Sequence, residues 1–130
     1  MDDQTFLRDI QSADATVRFA AWRQAATVTT AVIPQLGKLT MDDKGIGKAA
    51  REALAIMVHA VGKAPTAPNR AAVVKSLLDL AGGSELAVRI YALRLLSNIA
   101  GEDSVPAIAR HLQSAELAEE AVFCLERIPG

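Results

Sequence analysis

The sequence predicts an all-α chain of short helices stacked in file, and three observations lead there. Hydrophobic residues make up 51% of the 130 positions while aromatics make up only 4%, and 25 residues are alanine. Alanine is the strongest helix former and lets helix axes approach closely. Apolar residues recur at helical spacing in short segments, opened by Ser, Thr or Asp and separated by Gly- or Pro-containing turns. Windows from alternate segments can also be laid over one another, as the sign of an internal repeat.

Taken in order, Phe6, Leu7 and Ile10 predict a short first helix. Asp14 or Ser12 caps a second one that begins near Ala15. In it Val17, Ala21 and Val28 keep one apolar face and Phe19, Trp22 and Ala26 another, so cover is expected on two sides. A short helix follows over Ala31 to Leu39, with Pro34 in the first turn, where its missing donor is not needed. A cap at Asp42 or Asp43 opens a longer helix ending near Val61, with Ile46, Ala50, Ala53, Leu54 and Met57 inward. Gly45 and Gly47 near its start point to close contact or a bent start. "GKAPTAP", Gly62 to Pro68, is the plainest loop, and Thr66 is the expected next cap. Val73, Val74, Leu77 and Leu80 then carry a helix that stops at "AGG". Ser84 opens the next, through Leu86, Val88, Ile90, Ala92, Leu93, Leu96 and Ile99, and Gly101 stops it. Ser104 caps a helix with Val105, Ile108 and Leu112, and Ser114 starts the last, through Leu117, Ala121, Leu125 and Ile128. This gives about eight helices in about four hairpins, with connections short enough to make neighbours antiparallel.

The overlaid windows are "VRFAAWRQA" from Val17, "IGKAAREAL" from Ile46, "VRIYALRLL" from Val88 and "LAEEAVFCL" from Leu117, spaced 29, 42 and 29 residues apart. Each starts on an aliphatic and has alanine three or four places on. Three close on leucine and the first on Ala25. A single hairpin of this kind cannot bury its own apolar faces, whereas a stack can. One domain over residues 1–130 is expected, with repeats near 1–28, 29–62, 63–100 and 101–130.

"SADATVRFAAWRQA" and "GGSELAVRIYALRLL", with "EEAVFCLERIPG" at the end, carry a further reading. The chain resembles the HEAT repeat family, in particular the short bacterial kind with an aspartate-rich turn followed by a V-R pair. The resemblance implies an α-solenoid, a right-handed superhelix of antiparallel hairpins. It also implies that the arginine after the valine, here Arg18 and Arg89, supports the stack through carboxylates or carbonyls near the inter-repeat turn. The acidic partners it suggests are Asp14 and Asp43. In the second window Gly47 stands in the arginine slot, with Lys48 adjacent. Trp22 is expected to seal the first hairpin with Phe19. In such families "LERIPG" runs into a further repeat, so a longer parent solenoid, or self-association over an end exposing Leu117 or Leu125, is expected.

Net charge is −1, which argues against a general polyanion binder. The charges are uneven, however. Gly37 to Lys75 holds seven basic and three acidic residues, and Gly101 to Gly130 two basic and six acidic. The single cysteine, Cys124, excludes an intrachain disulfide and is expected in the core; it favours a reducing, cytoplasmic setting. The first ten residues lack the basic and apolar regions of a secretory signal, and no run is long enough for an ordinary membrane span. His59, His111 and Cys124 do not have metal-site spacing, and Asp42/Asp43 and Glu102/Asp103 read as helix-start charges. No phosphate-loop, dinucleotide or nucleophile motif is present.

The expectation is therefore a non-enzymatic scaffold without cofactor or metal, binding a protein or another domain of its parent. Candidate surface residues are Arg23, Lys48, Arg51, Arg94 and Glu119, on the exposed side of the second helices. The basic middle suits an acidic partner. Two alternatives remain: a HEAT-like lyase or regulatory subunit acting on a pigment or protein partner, which the resemblance allows, and a weak nucleic-acid-binding module, which rests on the charge excess from Gly37 to Lys75. Low aromatic content and near-neutral charge suit both poorly.

Overall fold

Asp2 and Asp14 each place a carboxylate over the first free amides of a helix. Asp2 accepts from the Thr5 amide at 2.7 Å and Asp14 from the Thr16 amide at 2.8 Å. These caps open α1, Asp3–Ile10, and α2, Ala15–Trp22. The computed structural model describes residues 1–42, 44–64 and 66–129. Among the described residues there are eight α-helices and no strand. Short 3₁₀ turns at Ala25–Thr27 and Thr30–Val32 lead into α3, Ile33–Leu39, where Pro34 occupies the first turn. Next come α4, Lys44–Gly62; α5, Arg70–Ala81; α6, Leu86–Leu96; and, after a 3₁₀ turn at Glu102–Ser104, α7, Val105–Ala109. A 3₁₀ turn at Arg110–Gln113 precedes α8, Ala118–Glu126.

Helices pack on their neighbours in sequence. α1 lies on α2, α3 on α4, α5 on α6 and α7 on α8. A second set of contacts joins α2 to α4, α3 to α5, and α6 to α8. No extensive packing brings α8 to α1 or α2.

The core runs along the whole chain. Phe6, Ile10, Ile33, Leu36, Leu54, Leu77, Leu93, Leu96, Ile108 and Leu117 are fully or almost fully buried. The small residues of the overlaid windows lie in the same core: Ala21, Ala50 and Ala121 are wholly buried and Ala92 nearly so. All four stand four places after the first residue of their window, one helical turn on. Gly37 continues the theme on α3, since a Cβ there would stand 2.5 Å from Leu80 Cδ2 of α5. Ala50→Leu adds bulk where helices already touch. It is expected to cost about 1–3 kcal/mol in a urea melt.

Several local expectations shift. α5 starts at Arg70 after Asn69, not at a Thr66 cap, and Thr66 is exposed. α6 is opened by Glu85 rather than Ser84, and neither Glu85 nor Ser104 makes a side-chain cap bond. Leu112 is exposed because α7 tightens to a 3₁₀ turn before reaching it, which rotates the helical face. The second apolar face of α2 is left open: Phe19 is 48% exposed and Trp22 half-buried. On α8, Leu117 is buried and Leu125 half-buried, while Val122 and Phe123 are the exposed pair. The expected α4 cap at Asp43 lies outside the described residues.

Candidate interaction surface

Arginines do most of the polar work between helices, and they do it on carbonyls. The last carbonyls of a helix have no intrahelical donor. Arg18 Nη1 of α2 donates to the Ser12 carbonyl, just past the end of α1, at 2.8 Å. Arg51 Nη1 of α4 donates to the Thr40 carbonyl, which ends α3, at 2.5 Å. Arg89 Nε of α6 donates to the Ala81 carbonyl, which ends α5, at 2.8 Å. α2, α4 and α6 thus each close the end of the helix before them. Gly47 leaves the expected slot of α4 empty, and Arg51, one turn later, reaches the equivalent carbonyl. Among the described residues Arg18 has no ion pair with Asp14, whose carboxylate caps its own helix. Asp43, the other expected partner, is outside the described residues. The Arg18 guanidinium lies directly against Gly45, where any Cβ would collide with it. Gly47 makes similar room for the Asp42 carbonyl.

Two further arginines, absent from the sequence reading, tie successive helix pairs. Arg70 at the start of α5 donates to the carbonyls of Val61 and Ile99, at 2.8 and 2.7 Å. Arg127 Nε donates to the Ser97 carbonyl at 3.1 Å. Tyr91 adds a bond from its hydroxyl to the Arg51 carbonyl at 3.1 Å. Burial raises the pKa of that hydroxyl, so it keeps its proton at neutral pH.

The candidate surface lies on the outward faces of α2 and α4. Helical spacing puts Phe19, Trp22 and Arg23 side by side. The Phe19 and Trp22 rings meet edge to face, 5.0 Å apart at 84°. Arg23 stands over the Phe19 ring with its guanidinium carbon 5.3 Å from the centroid, within cation–π range. An open cleft of about 420 Å³ runs between α2 and α4, lined by Arg18, Phe19, Trp22, Gly45, Lys48 and Ala49 among others. Lys48 is exposed. An apolar floor with cations around it can seat an apolar side chain flanked by carboxylates.

The structure brings Arg23 and Lys48 to this region and places the other candidates elsewhere. Arg51 is half-buried on Thr40. Arg94 of α6 pairs with Glu120 of α8 at 3.0 Å, and Glu119 is exposed on α8. The same aromatic–cation pair recurs on α8, where Arg127 stands 5.4 Å from the centroid of the Phe123 ring, and Phe123 is 49% exposed. The F-x-x-x-R spacing of Phe19/Arg23 and Phe123/Arg127 was the sequence signal for this.

Cys124 is wholly buried, and desolvation pushes its thiol up to about 11, which leaves it a thiol at neutral pH. No group of three or more His, Cys, Asp or Glu that could hold a metal ion occurs among the described residues. No helix among them is long and apolar enough to cross a membrane. Comparison with family models, curated proteins and solved structures gives no match to this chain.

Proposed function

We propose that the chain is a HEAT-like α-solenoid of four antiparallel hairpins, acting as a non-enzymatic scaffold for a protein partner or a neighbouring domain of its parent. The packing of α1 on α2, α3 on α4, α5 on α6 and α7 on α8 supports the hairpins. The contacts of α2 with α4 and of α6 with α8 support the stack. The four buried alanines at one window position support the repeat. In this reading α2, α4, α6 and α8 form the binding side. The bound segment is acidic and carries one apolar anchor. The observation that carries the reading is Phe19, nearly half exposed beside Trp22, with Arg23 on its ring and Lys48 across the cleft. A large exposed aromatic flanked by cations is the composition of an interface anchor.

Trp22 is the only tryptophan, so its fluorescence reports directly on this cleft. The test titrates a peptide of Asp and Glu around one leucine, against the same peptide with Asn and Gln. The acidic peptide is expected to shift the Trp22 emission and to bind at least about tenfold more weakly to Arg23→Glu/Lys48→Glu, from two rim charges at roughly 1 kcal/mol each. Arg51 is left intact because it holds Thr40. Equal affinity for both peptides, or for both proteins, would remove the acidic partner.

A further inference from the structure

A second cleft, away from the α2–α4 surface, gathers positive charge. It lies between α5, α6, α7 and the Arg110–Gln113 turn, has a volume of about 440 Å³, and is lined by Lys75, Asp79, Arg89, Arg110 and His111 among others. Asp79 is the one carboxylate among the described residues that line it, and Lys75 already engages it at 3.1 Å. Three permanent cations and a histidine therefore face one acid. Arg110 makes the arrangement more pointed. It is one of only two basic residues in the acidic last thirty, yet it sits with the cations of α5 and α6.

We propose that this cleft is an oxyanion site that takes a phosphate dianion, either free or as a monoester. Like charges held together in the cleft repel one another, and a dianion relieves that repulsion. Arg89 is a prepared donor. Its Nε is fixed on the Ala81 carbonyl at 2.8 Å, while its two terminal nitrogens carry no hydrogen bond to any described residue. A guanidinium fixed in this way loses little freedom when it meets a phosphate oxygen, and its planar fork matches phosphate geometry. Arg110 and Lys75 supply further charge, from the Arg110–Gln113 turn and from α5. His111 stands under the same field: burial lowers its pKa most, and the charges of Arg89 and Arg110 lower it further. An anion in the cleft reverses the last two effects. The site is independent of the α2–α4 reading, and the loss of either leaves the other standing.

Two histidines make the experiment internally controlled, because His59 is exposed near the end of α4, outside this cleft. The imidazole protons of the full chain are followed by NMR against pH, in inorganic phosphate and in sodium chloride of equal ionic strength. Phosphate is expected to raise the His111 pKa by on the order of one unit and to leave His59 in place. Arg110→Glu and Lys75→Glu are each expected to weaken phosphate binding about tenfold. Both residues lie at the surface, and Arg89 is left alone because it holds Ala81. A phosphoserine peptide and its unphosphorylated form are run beside free phosphate. Response to free phosphate supports a small-molecule source, and response to the phosphopeptide alone supports a monoester on a macromolecule. Equal movement of His59 and His111, an equal effect of chloride, or an unchanged response in Arg110→Glu would overturn the site.

Discussion

Leu93→Ala is expected to lower the unfolding free energy by about 2–5 kcal/mol, the range for emptying a fully buried leucine site. Leu93 has no exposed surface, and α6 is the helix that packs on both α5 and α8. Truncation there opens a void facing two neighbours. The walls are helices braced by their own arginines, so they close around it only in part. Urea denaturation followed by circular dichroism should show a lower midpoint and an unchanged slope. A loss below about 1 kcal/mol would mean that α6 is not packed as described.

Arg70→Ala comes next, with an expected cost of about 2–4 kcal/mol from two charge-assisted bonds. Its guanidinium reaches the Val61 carbonyl near the end of α4 and the Ile99 carbonyl beyond α6. The Val61 carbonyl keeps a second donor, the Ala64 amide at 3.3 Å, so most of the cost falls on Ile99, which is almost wholly buried. Arg70→Lys presents an ammonium in place of the fork and should recover roughly half of the loss. An effect under about 0.5 kcal/mol for Arg70→Ala would show that water replaces the guanidinium at both carbonyls.

The helices were legible wherever a local rule is strong. Asp14 caps α2 and Pro34 sits in the first turn of α3 because both choices are settled within four residues. The buried alanines were legible because their window position repeats in all four segments. What escaped depends on distance through space. Arg51 takes the structural place that Gly47 vacates because a guanidinium on a long stem can start one turn away and still find the Thr40 carbonyl. Arg70 bonds to Ile99, 29 residues on, and no spacing rule announces that. The open sides of α2 and α8 are illegible for another reason. Six of the eight α2 residues are apolar, and in α8 Val122 and Phe123 directly follow the buried Ala121, so periodicity alone does not mark which apolar side is left uncovered. The α2–α4 surface is half legible: the sequence points to Trp22, Arg23 and Lys48, whereas Phe19, paired with Trp22 in an apolar run, predicts cover and is instead 48% exposed.

The joints between helix pairs are made of different chemistry. The first depends on Asp3, whose carboxylate accepts from the Thr29 amide at 3.0 Å and from the Thr29 hydroxyl. Those two bonds hold the Asp3 carboxyl below its ordinary range, so their stabilisation is complete above that range and fades as acid protonates the folded group. The later joints rest on Arg70 and Arg127, which stay charged throughout. Acidification therefore weakens the contact between α1 and Thr29, while the joints made by Arg70 and Arg127 keep their charge.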